Sequence, residues 1–164
     1  MRLGVISDTH GLLRPEVFDV FEGVDQILHA GDVGPLELLN ELKEIAPVTA
    51  VYGNTDGSDV RTTLRRVAAI ELDGFHIVVT HGDQFGRGVR PWQLHEAFPD
   101  ADIIIYGHSH QPLLEIVDVV VTVMNPGAAG PRRFDIPASV GIIELEAGIP
   151  PRARLVPLTA ADED

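Results

Sequence analysis

Seven side chains in this sequence are of types that hold metal ions, and they share a positional pattern: Asp8, His10, Asp32, Asn54, His81, His108 and His110. Each follows a short apolar run and sits in a glycine-bearing turn, the turns being SDTHG, AGDVG, YGNTDG, THGDQFG and YGHSHQ. Neutral imidazoles combined with carboxylate and amide oxygens form a donor set suited to manganese, iron, zinc and neighbouring ions. Seven donors are too many for one tetrahedral ion. Two ions sharing a carboxylate would use them, with a bridging water made nucleophilic between them. Such a centre would carry net positive charge and draw in an anionic group such as phosphate, even on a chain of net charge −13.

Taken singly, an Asp-x-His or a Gly-His-x-His is ordinary turn or helix-cap chemistry. The pattern gains weight from its repetition. The steps from Asp8 to Asp32, Asn54, His81 and His108 are 24, 22, 27 and 27 residues, the length of successive strand–connection–strand units. In open α/β sheets the carboxyl ends of the strands line one crest, where ligands bind, so five distant turns would deliver their donors to one place. Ligands at such strand ends are expected to line an open cleft rather than to form core.

The elements that must position them are legible as alternating apolar runs and helical stretches. RLGVIS (2–7), QILHA (26–30) and PVTAVYG (47–53) read as strands, with helices over 14–22 and 35–45 between them, each opened by a proline. After a polar loop, RVAAIELDGFHIVVTHG (66–82) reads as two strands around an Asp73-Gly74 turn. A helix over 91–98 precedes the buried strand ADIIIYG (101–107). LLEIVDVVVTVMN, ASVGIIELEAG and PRARLVPL then follow as strand after strand. Helix-separated strands early and hairpins late predict an α/β fold: a parallel-leaning sheet with helices outside and a second sheet packed behind it.

Length and composition bound the alternatives. The 164 residues, 45% of them apolar, suit a single domain over 1–158 with an acidic tail at 159–164. No cysteine is present, which excludes disulfides, zinc ribbons and thiolate nucleophiles. Twelve basic residues against 25 acidic ones argue against an extended nucleic-acid surface. The N-terminus has no secretory pattern and no apolar run is long enough for a membrane span, so a cytoplasmic protein is expected. Neither a dinucleotide or P-loop glycine motif nor a Gly-x-Ser-x-Gly elbow occurs, so nucleotide-cofactor and serine-hydrolase readings find no support.

In their order, the five blocks Asp-x-His, Gly-Asp, Gly-Asn, His-Gly and Gly-His-x-His resemble those of the calcineurin-like metallophosphoesterases, in particular the small YfcE-like phosphodiesterase branch. The resemblance runs from residue 1 to about 158 and includes NPGAAGPRR (125–133), similar to that branch's Asn-Pro-Gly-Ser…Pro-Arg loop with Ala128 at the serine. It implies two facing mixed β-sheets flanked by helices, a four-layer α/β/β/α sandwich. It implies one ion on Asp8, His10, Asp32 and His110 and another on Asp32, Asn54, His81 and His108, with Asp32 bridging. The ions implied are divalent, manganese first, with zinc, iron or nickel as other occupants. A metal-bridging hydroxide would attack a small phosphodiester; Asn54 and His81 stand closest to that chemistry, and a homo-oligomer stays open.

This chain departs from the pattern at Gly53-Asn54-Thr55-Asp56, where many relatives carry a histidine that protonates the leaving oxygen. Threonine is no general acid near neutral pH, which weighs against phosphomonoester hydrolysis. A smaller departure is Asp83, where relatives often read His-Gly-His. Asp56 and Asp83 are expected to orient ligating imidazoles. His29, on a buried strand, reads as a packed or supporting histidine, and His76 and His95 as surface or packing residues. Trp92, beside Arg87 and Arg90, reads either as a rim of the cleft or as packing at a helix start; Arg132 and Arg133 read as solvated. Three functions compete: a binuclear phosphodiesterase, a phosphomonoesterase or short-substrate nuclease of the same chemistry, and a protein-binding scaffold like the retromer subunit that shares this fold. A scaffold is free to lose ligands, and all seven stand here.

Overall fold

Strand β1 (Arg2–Ile6) shows how the sequence makes two cores at once, because side chains along a strand alternate between faces. Leu3 and Val5 point into an apolar cluster with Leu28, Ile77, Val79, Ile103 and Ile105. Ile6 points the other way, onto Val17, Phe21, Leu39 and Leu42. Gly4 shares that second face, and its missing side chain admits the Phe21 ring, which a Cβ there would approach to 3.0 Å. The computed structural model describes residues 1–159, so the acidic tail expected over 159–164 lies, apart from Thr159, outside the described residues.

The first sheet has the order β10-β9-β1-β2-β3. Strands β1, β2 (Gln26–His29) and β3 (Val48–Ala50) are parallel, while β9 (Ser139–Glu146) and β10 (Ile149–Pro157) join as antiparallel neighbours. The second sheet runs β4-β5-β6-β8-β7. Its centre, β5 (Phe75–Thr80), β6 (Ile103–Ile105) and β8 (Val121–Asn125), is parallel; β4 (Val67–Leu72) and β7 (Leu113–Val117) are antiparallel edges. Both sheets are therefore mixed. The late hairpin was expected behind the first sheet, but β9 and β10 return to it and close its edge.

Helices α1 (Glu16–Val20) and α2 (Glu37–Lys43) cover the outer face of the first sheet through Val17, Leu38, Leu39 and Leu42. Helix α4 (Pro91–Ala97) covers the second sheet through Leu94, which packs with Val78, Ile104 and Tyr106. The layers are α/β/β/α, with the apolar seam between the sheets formed by alternate residues of β1, β2, β5 and β6. A further short helix, α3 (Ser58–Thr63), occupies the stretch expected as a polar loop; only Val60 in it is buried. None of these helices, among the described residues, is long and apolar enough to cross a membrane.

Candidate metal centre

The parallel register of β1 and β2 sets Ile6 opposite His29, so both strands release the chain at the same end of the sheet. Beyond that point the two loops stay laced. Asp8 N–H donates to Gly31 O at 3.0 Å, and His10 N–H to Asp32 O at 2.9 Å. The loops after β5 and β6 meet similarly, Gly107 N–H donating to His81 O at 3.0 Å.

Five of the seven expected ligands adopt left-handed backbone: Asp8 (φ 54°), His10 (46°), Asp32 (53°), His108 (71°) and His110 (62°). Asp and His tolerate this region better than most residues, and strained backbone concentrates at functional sites. Here it turns the chain sharply enough after β1 for Asp8 and His10 to face one point. Close approach of the loops needs glycine at two places. A Cβ on Gly53 would overlap the Asp32 carboxylate, and one on Gly107 would overlap Ser7 Oγ and Asp8 Oδ2.

The carboxylate of Asp8 is the hub. It is fully buried, and its Oδ2 accepts from Ser7 Oγ–H at 2.6 Å and from His108 N–H at 3.1 Å. Its Oδ1 is buried with no hydrogen-bond partner, yet three imidazole Nε2 atoms surround it: His110 at 3.2 Å, His10 at 3.7 Å and His81 at 3.9 Å. Burial pushes the Asp8 carboxyl up, but the imidazoles of His10, His110 and His81 and the Ser7 hydroxyl outweigh it and hold the group well below the usual carboxylate range. Asp32 faces the same space, its Oδ2 3.2 Å from His81 Nε2 and 3.8 Å from His10 Nε2. Burial opposes ionisation there too, and hydrogen bonds from His81 and Thr55 lower its pKa on balance.

Two groups of donors thus converge: Asp8, His10 and His110, and Asp8, Asp32 and His81. Within these groups the shared carboxylate is Asp8, while Asp32 also faces imidazoles of both. Asn54 Oδ1 joins the second at 3.0 Å from His81 Nε2. The His108 ring stands edge-on to His81, centroids 5.2 Å apart. The donor set suits divalent first-row ions. A buried, ionised oxygen ringed by nitrogens and given no hydrogen-bond donor is the environment that a cation completes.

His81 donates its Nδ1 hydrogen to Ala30 O at 2.8 Å, which leaves Nε2 as the donor atom toward the centre. Burial alone would lower its pKa, but the hydrogen bond to Asp32, the charges of Asp8 and Asp32, and the Ala30 carbonyl raise it to about 9. The expected cleft-lining character holds only for Asn54, which is exposed, and for the half-buried His10 and His108. Asp8, Asp32, His81 and His110 are buried.

Supporting residues differ from expectation in part. Asp56 does not touch an imidazole: its carboxylate accepts from Gly53 N–H at 2.8 Å and Gly34 N–H at 3.1 Å, tying two ligand loops together. Asp83 pairs with Arg66 at 3.2 Å. His29 does support the site. Its Nδ1 accepts from Gly31 N–H at 3.1 Å, so Nε2 carries the hydrogen and donates to Thr9 Oγ1 at 3.0 Å, and Thr9 donates on to Val33 O at 2.8 Å. Ser7 carried no sequence signal, and Asn125 only its place at the head of the NPGAAGPRR resemblance. Asn125 Nδ2 donates to Gly107 O at 3.1 Å and Ser109 Oγ at 3.0 Å, fixing the turn that holds His108 and His110. Trp92 is 54% exposed and stands in the first turn of α4.

The family model described as the calcineurin-like phosphoesterase superfamily domain matches residues 1–148. A probable metallophosphoesterase of Methanothermobacter thermautotrophicus is 38% identical over 154 residues, covering 89% of this chain and 87% of that one. Phosphodiesterase YfcE of Escherichia coli is 29% identical over 168 residues, covering 88% of each. In fold, the chain is similar to the vacuolar protein sorting 29 structure of Cryptosporidium parvum, with a TM-score of 0.79 at 19% identity over 94% of this chain and 96% of that one. With its nearly full-length match and its buried carboxylate–imidazole centre, the chain belongs to the calcineurin-like phosphoesterase superfamily and is a metal-dependent phosphoric ester hydrolase.

Proposed function

We propose that the chain is a binuclear phosphodiesterase acting on small phosphodiesters, with Mn2+ as its first ion and Zn2+, Fe2+ or Ni2+ as alternatives. One ion would lie on Asp8, His10, Asp32 and His110, and the other on Asp32, Asn54, His81 and His108. When bound, the pair supplies Lewis acidity toward phosphoryl oxygens and lowers the pKa of a bound water. The observation that carries this reading is Asp8 Oδ1, buried without a donor and faced by three Nε2 atoms. Asp8 is kept ionised there, and the Ala30 carbonyl keeps the Nε2 of neutral His81 turned inward.

The choice of diesters rests on Thr55. Its N–H donates to Asp32 Oδ1 at 2.9 Å, which sets this exposed residue beside the centre, and the family resemblance assigns it the usual proton donor's position. With no acid there, a leaving oxygen must depart unprotonated. Aryl diesters tolerate this and alkyl monoesters do not. The test is hydrolysis of bis(p-nitrophenyl) phosphate by chelator-treated protein before and after Mn2+ is restored. Metal-dependent turnover supports the reading, and equal rates in both samples overturn it.

The likeness to vacuolar protein sorting 29 favours a second reading, a scaffold that binds another protein without turnover. Absence of hydrolysis in the metal-loaded protein across mono- and diesters would favour that scaffold.

A further inference from the structure

Beside the centre lies a groove of about 560 Å³, within the size range of small-molecule sites. Its walls include Arg87, Trp92, Tyr106, Ser109, Gln111 and Glu115. Two features join it to the candidate centre. Ser109 lies between His108 and His110, and the charge of Arg87 acts on the His108 ring. Trp92, the only tryptophan of the chain, lines this groove with about half of its surface exposed, 54%.

We propose that this groove holds the nucleoside part of a nucleotidyl phosphodiester, a substrate class that rests on the phosphodiesterase reading above. An exposed indole offers a face on which a heteroaromatic base stacks without regard to its sequence identity. Ser109, Gln111 and Glu115 supply donors and acceptors suited to base edges and sugar hydroxyls, which a purely hydrocarbon ester group would leave unpaired. Arg87, which lines the groove and whose charge reaches His108, supplies positive charge for an ester phosphate held between groove and centre. On a chain of net charge −13 this local cation matters, because most of the remaining surface repels such a substrate.

Because Trp92 is the sole tryptophan, its emission reports the groove directly. Zinc-loaded protein titrated with thymidine 5′-monophosphate is expected to show a saturable emission change that methyl phosphate does not produce. In parallel, kcat/KM is measured for the p-nitrophenyl ester of thymidine 5′-monophosphate and for methyl p-nitrophenyl phosphate. Trp92→Ala is expected to lower the nucleotidyl-to-methyl ratio roughly 5- to 100-fold, the range that base stacking on an aromatic ring supplies, mainly through KM. Trp92→Phe, which keeps a ring, is expected to restore most of it. A flat emission titration with an unaltered ratio, while metal-dependent hydrolysis persists, overturns the groove and leaves the phosphodiesterase reading standing. No hydrolysis of either ester overturns that reading instead, and the emission titration then decides the groove alone: saturation by the nucleotide supports it, a flat response overturns it.

Discussion

The Nε2 atoms of His10 and His110 stand 3.3 Å apart, although a hundred residues separate them in the chain. Two neutral imidazoles cannot both accept at that distance, so a shared proton or a shared cation must lie between them. His10 is turned inward by left-handed backbone after β1, and His110 by the same device after β6. The fold thus spends strain at both turns to bring together two ring nitrogens, which an N–H···N bond joins in the metal-free protein and which an ion would take as two ligands.

His110→Ala is expected to reduce turnover by more than the 10- to 100-fold typical of residues that merely support a ligand. His81→Ala should do the same at a larger cost in stability. It leaves the buried Ala30 carbonyl without its donor, a loss of about 1–3 kcal/mol. Steady-state kinetics with denaturant unfolding of the metal-free proteins separates the two effects. Near-wild-type hydrolysis in either variant would contradict the ligand assignment.

Much of this site is legible in the sequence, because short apolar runs stop where the donors begin. Asp8, Asp32, His81 and His108 could be placed at strand ends for that reason alone. What the chain conceals is long-range. β9 pairs with β1 through Leu3 and Ile143, and no local pattern says that the last hairpin returns to the first sheet. Helix α3 is concealed for another reason: SDVRTT has one buried residue, and its Arg61 is held by Asp56 O at 2.7 Å and Asn54 O at 2.9 Å, partners that exist only once the ligand loop has formed. The donor of Ser7 was equally invisible, and the NPGAAGPRR motif marked Asn125 without saying that it binds the turn of His108 and His110, since a serine or asparagine in a turn has many ordinary uses.

Metal loading should reverse the alkaline dependence of stability. In metal-free protein the His81 pKa is raised from 6.5 to about 9, so its contribution is fully present below 6.5 and is lost as pH rises through 9. Ligation instead requires neutral imidazole, so the stabilisation added by the ion should grow over that same window. Thermal melts of chelated and metal-loaded samples across this range provide the check. Parallel declines in both would count against His81 as a ligand.

His29 should govern the acid limb. Burial lowers its pKa from 6.5 to about 4, so the unfolded chain binds the proton first and stability falls as pH drops from 6.5 toward 4. The lowered pKa of His108 acts in the same direction. His29→Gln retains an N–H for Thr9 but does not titrate, and should flatten this limb in urea unfolding of the metal-free protein. It should also weaken metal affinity about 10- to 100-fold, as changes behind a ligand loop do. An acid limb as steep as that of the unmodified chain would remove His29 from this role.

Thr55→His tests the missing acid. Thr55 holds Asp32 through both its backbone N–H, at 2.9 Å, and its side chain, so substitution keeps the first contact and gives up the second. A placed proton donor contributes about 10²–10⁴-fold where the leaving group needs protonation. The variant should gain on esters of high leaving-group pKa and change little on aryl diesters such as bis(p-nitrophenyl) phosphate. Equal change on both classes would show that position 55 does not face the leaving oxygen.

Two ions sharing the carboxylates of one buried centre fix the metal stoichiometry of the protein. Protein purified, stripped and reloaded with Mn2+ should contain two ions per chain by elemental analysis, and Asp32→Asn should lower occupancy at both positions, because Asp32 Oδ2 faces His10 at 3.8 Å and His81 at 3.2 Å. One ion per chain in the unmodified protein under saturating metal, with that content unaltered in Asp32→Asn, would rule out a binuclear centre.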